Sequence, residues 1–111
     1  MSGFGDYIAA RRKALKLTQK DLAPQIKKSD GTAISAQYLN DVERERRAIP
    51  TDAVLESLAE VLKIPTDVLY FLAGRTPPDI QRENIPEERI LAAYGAFRRE
   101  LSAAPNKKKR L

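Results

Sequence analysis

The stretch Leu17-Thr18-Gln19-Lys20-Asp21-Leu22-Ala23, followed after a polar loop by Ile34-Ser35-Ala36-Gln37-Tyr38-Leu39-Asn40-Asp41-Val42-Glu43, decides the fold. Each half opens on a hydroxyl residue able to accept from the free backbone N–H groups of a first helical turn, so two short helices start in succession. With Ser35 as the cap of the second, Leu39 and Val42 share one face and Ile34 sits just ahead of it, while Ala36, Gln37, Asn40, Asp41 and Arg44 line the other. An outer face of amides and arginine, in place of a solubilising mixture of Glu and Lys, suits the reading of base edges. An ordinary amphipathic core helix with a solvated face fits the same residues, and this segment alone does not choose between them.

Working outward, Phe4, Ile8 and Leu15 at helical spacing predict a first helix from about Phe4 to Lys16. Thr18 with Asp21 three residues on is a near capping box for the second, which buries Leu22 and Ile26. The third runs from Ser35 to about Arg44. Arg44-Glu45-Arg46-Arg47 then leads through Pro50 into a fourth, with Thr51 or Asp52 as cap and Val54, Leu55, Leu58, Ala59 and Leu62 facing inward. A fifth covers Thr66 to Ala73, closed by Gly74 as a left-handed cap. The expectation is all-α, five helices around one core. Thr76-Pro77-Pro78-Asp79 cannot continue a helix and marks an edge between residues 1–76 and 77–104.

Beyond that edge a sixth helix can start near Asn84, Ile85 or Pro86, with Glu87 and Glu88 at its positive end. Ile90, Tyr94, Phe97 and Leu101 recur at intervals of four, three and four residues, and such a stripe must be buried. It can fold back onto its own domain or meet a second copy as a coiled-coil-like seam; the reading adopted is the dimer interface, with a protein partner as a further use of this helix. Residues 105–111, from Pro105 through Lys107-Lys108-Lys109-Arg110, read as a disordered basic tail.

Thr18-Gln19-x-x-Leu22-Ala23, then Ile34-Ser35-x-x-Tyr38-Leu39-x-x-Val42-Glu43-Arg44, resembles the helix-turn-helix of the lambda Cro and CI repressor-like (XRE-type) regulators. The similarity runs from about Phe4 to Gly74 and takes in Leu58-Ala59-x-x-Leu62-x-Ile64-x-x-Asp67-x-Leu69. The resemblance implies a five-helix lambda repressor-like DNA-binding domain, here with an additional C-terminal helix. It further implies a transcriptional regulator, a repressor first of all, whose partner is double-stranded DNA in the form of a palindromic operator. It implies a structural pair, Arg12 with Glu43 at the end of the recognition helix; an exposed Arg12 facing phosphate is the other reading. Gln19 resembles the family glutamine that touches a phosphate and buttresses the recognition helix, or is merely a good helix-start residue. The chain departs from the pattern in three ways. Lys16, Lys27 and Glu45 stand where the family commonly has glycine, Pro24 lies beyond the first turn of the second helix, and Lys27–Ala33 replaces a tight turn by a longer loop.

Composition narrows the function classes. A chain of 111 residues, 42% hydrophobic and 32% charged, suits one small domain with a modest extension. No apolar run approaches the roughly 20 residues that span a bilayer, and Met1 to Asp6 lacks the order of a signal peptide, so a cytoplasmic protein without a membrane partner is expected. With no cysteine and no histidine, disulfides, thiolate metal sites, the commonest general base and the commonest zinc ligand are all missing. No nucleophile and base stand at a persuasive spacing, so neither enzyme, metal nor cofactor is expected. Against 15 acidic residues stand 20 Lys and Arg, a net charge of +5, which favours a polyanionic partner. The basic residues cluster at Arg11-Arg12-Lys13, Lys27-Lys28, Arg44 to Arg47 and Lys107 to Arg110.

On DNA, Gln37 is the residue assigned to base reading, since an amide can bind adenine N6 and N7 together. Asn40 offers the same chemistry one turn later, or a phosphate contact. Ala36 offers a methyl for thymine, while Ser35 and Lys20, at the two helix starts, complete the DNA-facing set. Tyr38 either packs in the core while its hydroxyl reaches the backbone or only packs. Asp41 either accepts from cytosine N4 or pairs with a neighbouring arginine. Arg44, Arg46 and Arg47 grip phosphate without supplying sequence information. Lys27 and Lys28 can reach a flanking phosphate from a loop turned by Asp30-Gly31, or the insertion is simply tolerated because loops are entropically cheap to lengthen. Two other functions fit the same chain: an antitoxin whose segment after Pro78 neutralises a toxin, and a non-specific nucleic-acid-binding module.

Overall fold

Thr18 Oγ1 accepts from the Asp21 N–H at 3.0 Å and Asp21 Oδ2 accepts from the Thr18 N–H at 2.9 Å. This full capping box fixes where the second helix begins. Ser35 does the same for the third, its Oγ accepting from the Tyr38 N–H at 3.0 Å. The computed structural model of the protein describes residues 3–81 and 84–103. Among them are α1 (Phe4–Ala14), α2 (Gln19–Leu22), α3 (Ala36–Glu43), α4 (Asp52–Leu62), α5 (Thr66–Ala73), α6 (Pro78–Gln81) and α7 (Glu87–Ser102), and no strand. The fold is all-α. Among the described residues no helix is long and apolar enough to cross a membrane.

Several boundaries differ from what periodicity predicts, each for a local reason. α1 ends at Ala14 because Leu17 N–H returns to Arg12 O at 3.1 Å and Lys16 turns left-handed at φ 61°. Leu15 is accordingly only half-buried. Pro24 cannot donate an internal hydrogen bond, and the chain from Ala23 to Gln25 tightens into a 3-10 turn directly after α2. Thr51 occupies the N-cap position of α4 without a side-chain capping bond, and the left-handed Lys63, φ 58°, closes that helix. Gly74, φ 74°, closes α5 as its chemistry predicts. The proline run that ends the five-helix pattern starts a further single turn, α6, since proline is compatible with a first helical turn.

The longer loop is an ordered hairpin. Lys27 and Ala33 form an antiparallel bridge, Ile34 N–H donates to Ile26 O at 3.0 Å, and Lys28 N–H to Thr32 O at 2.8 Å. Lys28 O accepts from Gly31 N–H at 2.9 Å, and Gly31 is left-handed at φ 87°, the pattern of a three-residue hairpin loop. Asp30 Oδ1 accepts from the Thr32 N–H and hydroxyl at 3.0 and 2.7 Å, which holds its carboxyl below the usual carboxylate range. The base is pinned to α4 by Lys27 N–H donating to Ser57 Oγ at 2.9 Å.

The core is closed by residues from Phe4 to Tyr70, with Ile8, Leu22, Ile26, Leu39, Leu55, Leu58, Leu62, Leu69 and Tyr70 fully buried. α1 packs on α3 and α5, α2 on α3, and α4 on α5, which holds α3 between supports. The chain divides into two compact units, residues 1–81 and 82–111. In the second, α7 leaves Ile90, Tyr94, Phe97 and Leu101 between 42% and 59% exposed. The basic tail expected at 105–111 lies outside the described residues.

Candidate nucleic-acid interface

α3 is held from behind by a network with Glu43 at its centre. Arg12 Nε donates to Glu43 Oε2 at 2.7 Å and a second guanidinium nitrogen to Oε1 at 2.9 Å, a bidentate pair with both side chains buried. Its hydrogen bonds to Glu43 raise the Arg12 guanidinium above its ordinary value, against the effect of burial. Arg12 also donates to Leu17 O at 2.9 Å, tying the end of α1 into the same node. Gln19 Nε2 donates to Glu43 Oε1 at 2.9 Å and to Asn40 Oδ1 at 3.2 Å, so the first residue of α2 braces α3 at two points.

A second network lies on the outer side. Gln37 Nε2 donates to Asp41 Oδ1 at 3.0 Å, and Arg47 reaches Asp41 Oδ2 at 3.5 Å. The Arg47 guanidinium also lies over the Tyr38 ring, 4.6 Å from its centroid, while Tyr38 packs half-buried against the core. Of the alternatives open for Asp41, the geometry gives arginine pairing. Lys20, Lys28, Ser35, Gln37, Arg44, Arg46 and Arg47 are exposed, and Ala36 is half-buried beside them.

Tertiary packing gives particular partners to Asn40 and to the basic run of α1. Asn40 differs from Gln37 in its partner: its Oδ1 accepts from Gln19 Nε2 at 3.2 Å, which ties it to the network behind α3. Of the basic run Arg11-Arg12-Lys13, only Lys13 is exposed. Arg12 is buried, and Arg11 donates to Leu62 O at 2.8 Å and Lys63 O at 3.3 Å, satisfying carbonyls at the end of α4.

Sequence reasoning also missed Gly5 and Glu45. Gly5 is buried and its N–H donates to Glu45 Oε2 at 3.0 Å, with Glu45 left-handed at φ 57°. A Cβ at Gly5 would stand 2.2 Å from Glu43 O and 2.8 Å from Glu43 C. α1 therefore crosses the end of α3 at a distance only glycine permits. The signal was available in Glu45 standing at a family glycine position, but its partner lies 40 residues away. Gly5→Ala is expected to destabilise the domain by about 1–3 kcal/mol, because a backbone carbonyl cannot move aside as a side chain can. Urea unfolding checks this; unchanged stability would mean α1 does not sit this close.

The profile of the helix-turn-helix family matches residues 8–69. Over 74 residues the chain is 35% identical to the HTH-type transcriptional repressor RghR of Bacillus subtilis (strain 168), covering 67% of this chain and 50% of that protein. It is also 35% identical over 74 residues to the uncharacterized HTH-type transcriptional regulator RghRB of the same strain, covering 67% and 49% respectively. The chain thus spans about half the length of the curated relatives it matches. No solved structure matches it at a significant level. With the capped α2 and α3, the buttress behind α3, the profile match over residues 8–69 and these relatives, the chain belongs to the XRE-type helix-turn-helix family.

Proposed function

We propose that this protein is a sequence-specific double-stranded DNA-binding transcriptional regulator, a repressor, that reads the major groove with α3. The observation carrying this reading is the way α3 is held. Its inner side is locked by Arg12, Glu43 and Gln19, while its outer side presents Gln37 already oriented by Asp41. One Nε2 hydrogen of Gln37 goes to Asp41, leaving the other hydrogen and Oε1 for the N7 and N6 groups of an adenine. Rigid positioning lets a side chain discriminate, since an amide free to turn by half a rotation presents donor and acceptor equally well. Asn40 keeps its amide hydrogens for a phosphate oxygen, and Arg44, Arg46 and Arg47 extend the backbone contact. The repressor assignment draws on the relative named as one. A homodimer joined through α7, bound to a palindromic operator in the cytoplasm, completes the proposal; the exposed stripe Ile90, Tyr94, Phe97 and Leu101 supports it.

Selection of bound sequences from a random duplex pool tests the reading, and a two-fold-symmetric consensus is the expected result. On the selected site Gln37→Ala should cost about 1–3 kcal/mol and relax choice at one base pair. Arg46→Ala should weaken binding to every sequence and flatten the dependence of log K on log salt by about one unit. Binding measured on matched and mismatched duplexes at several salt concentrations separates the two. Base preferences unchanged by Gln37→Ala would remove that residue from the reading role.

A further inference from the structure

The hairpin that replaces the family's tight turn has a definite place beside α3. A cleft of about 430 Å3 opens there, lined by Lys28 and Ser29 of the hairpin, Gln37 and Tyr38 of α3, and Arg47 and Thr51 of the segment leading into α4. We propose that this cleft is a clamp for the sugar-phosphate backbone of duplex DNA, with Lys28 and Arg47 acting on the same phosphodiester. The inference rests on the reading of α3 as a DNA-recognition helix, and it gives the inserted hairpin a role in holding DNA at a point the tight turn does not reach.

Four observations carry it. The hairpin is built rather than loose: the bridge between Lys27 and Ala33, the left-handed Gly31, the Asp30 side-chain bonds and the anchor to Ser57 fix its tip. A preorganised arm loses little freedom when it meets a ligand. Second, its two lysines have different tasks. Lys27 Nζ turns back to Pro24 O at 3.1 Å, whereas the exposed Lys28 lines the cleft. Third, Arg47 is held over Tyr38 and beside Asp41, yet its side chain remains 48% exposed and its ion pair is long at 3.5 Å, so it can donate outward to a phosphate without breaking its stack. Fourth, the lining joins two cations and the hydroxyls of Ser29 and Thr51 to an apolar ring and sits against Gln37. Cations and hydroxyls suit phosphate oxygens.

The clamp separates from the base-reading role by its insensitivity to sequence. Lys28→Gln and Arg47→Gln should each weaken binding to a 30-base-pair mixed-sequence duplex by about threefold to tenfold near 0.1 M salt, and the double substitution should reduce the salt slope by about 0.9, the share of one phosphate, with thermal stability unchanged by Lys28→Gln. Because both act on one phosphate, a neutral methylphosphonate placed at that linkage of the selected duplex should make both substitutions silent. Failure of the wild-type protein to bind any duplex would overturn the functional reading itself. Wild-type binding with Lys28→Gln at full affinity would leave that reading standing and overturn the clamp. So would a scan in which no single neutral linkage silences both variants. Binding of a free anion such as inorganic phosphate, with duplex affinity unaffected by Lys28→Gln, would assign the cleft to a small ligand and likewise overturn it.

Discussion

Glu43→Ala is expected to cost about 3–5 kcal/mol of stability, a large part of the 5–15 kcal/mol that holds a typical domain together. The reason is what the substitution leaves behind. Arg12 stays buried with its forked guanidinium facing no carboxylate, and Gln19 loses its acceptor on the same oxygen. Arg12→Ala should cost a similar amount by orphaning Glu43 and the Leu17 carbonyl. The double substitution should lose less than the sum, because neither charge is then left without its partner. Urea unfolding of the wild type, both singles and the double closes the cycle. Additive losses would show that the two side chains contribute independently and that the bidentate geometry carries no coupling.

Phe97→Asp is expected to split the proposed homodimer and lower operator affinity by about 10²- to 10⁴-fold, the avidity lost when a second linked half-site can no longer be engaged. In a paired reader that half-site lies about 34 Å along the duplex, beyond the reach of one domain. The stripe on α7 holds Tyr94 and Phe97 edge to face, with centroids 6.3 Å apart, and both remain more than 40% exposed. A carboxylate placed in such a seam would be desolvated without a partner. The helix-turn-helix unit should stay folded, because among the described residues its buried core is drawn from positions between Phe4 and Tyr70. Sedimentation and helical circular dichroism decide the matter. A variant that remained dimeric would move the interface elsewhere, and one that lost helicity throughout would place this helix in the core of its own domain.

The elements legible in the sequence are those whose causes lie within a turn or two of the residues concerned. Thr18 with Asp21, Ser35 with Tyr38, and Gly74 at the end of α5 act over three or four positions, and each does so in the fold. Asp30-Gly31 turns the hairpin, and the inward set Val54, Leu55, Leu58, Ala59 and Leu62 is buried as its spacing implies. The bond between Arg12 and Glu43 spans 31 residues and followed only from family resemblance, not from any local pattern.

What the sequence by itself determined is therefore the order of α1 to α5 and of α7, the caps at Thr18, Ser35 and Gly74, the inward face of α4 and the family, while α6 and the closure of α4 by Lys63 lay outside it. These depend on backbone hydrogen bonding and side-chain periodicity, which a chain carries wherever it folds. The tertiary structure alone decided how the polar residues are used. It turned Arg11 to carbonyls 51 and 52 residues away, drew the Asn40 oxygen toward Gln19, set Asp41 between Gln37 and Arg47, and fitted Gly5 under the end of α3. A charged or amide side chain can satisfy its hydrogen bonds with many partners at similar free energy. Which partner it takes is set by what the packed helices bring within reach of a hydrogen bond or ion pair, and that distance is not written in the spacing of the residues along the chain.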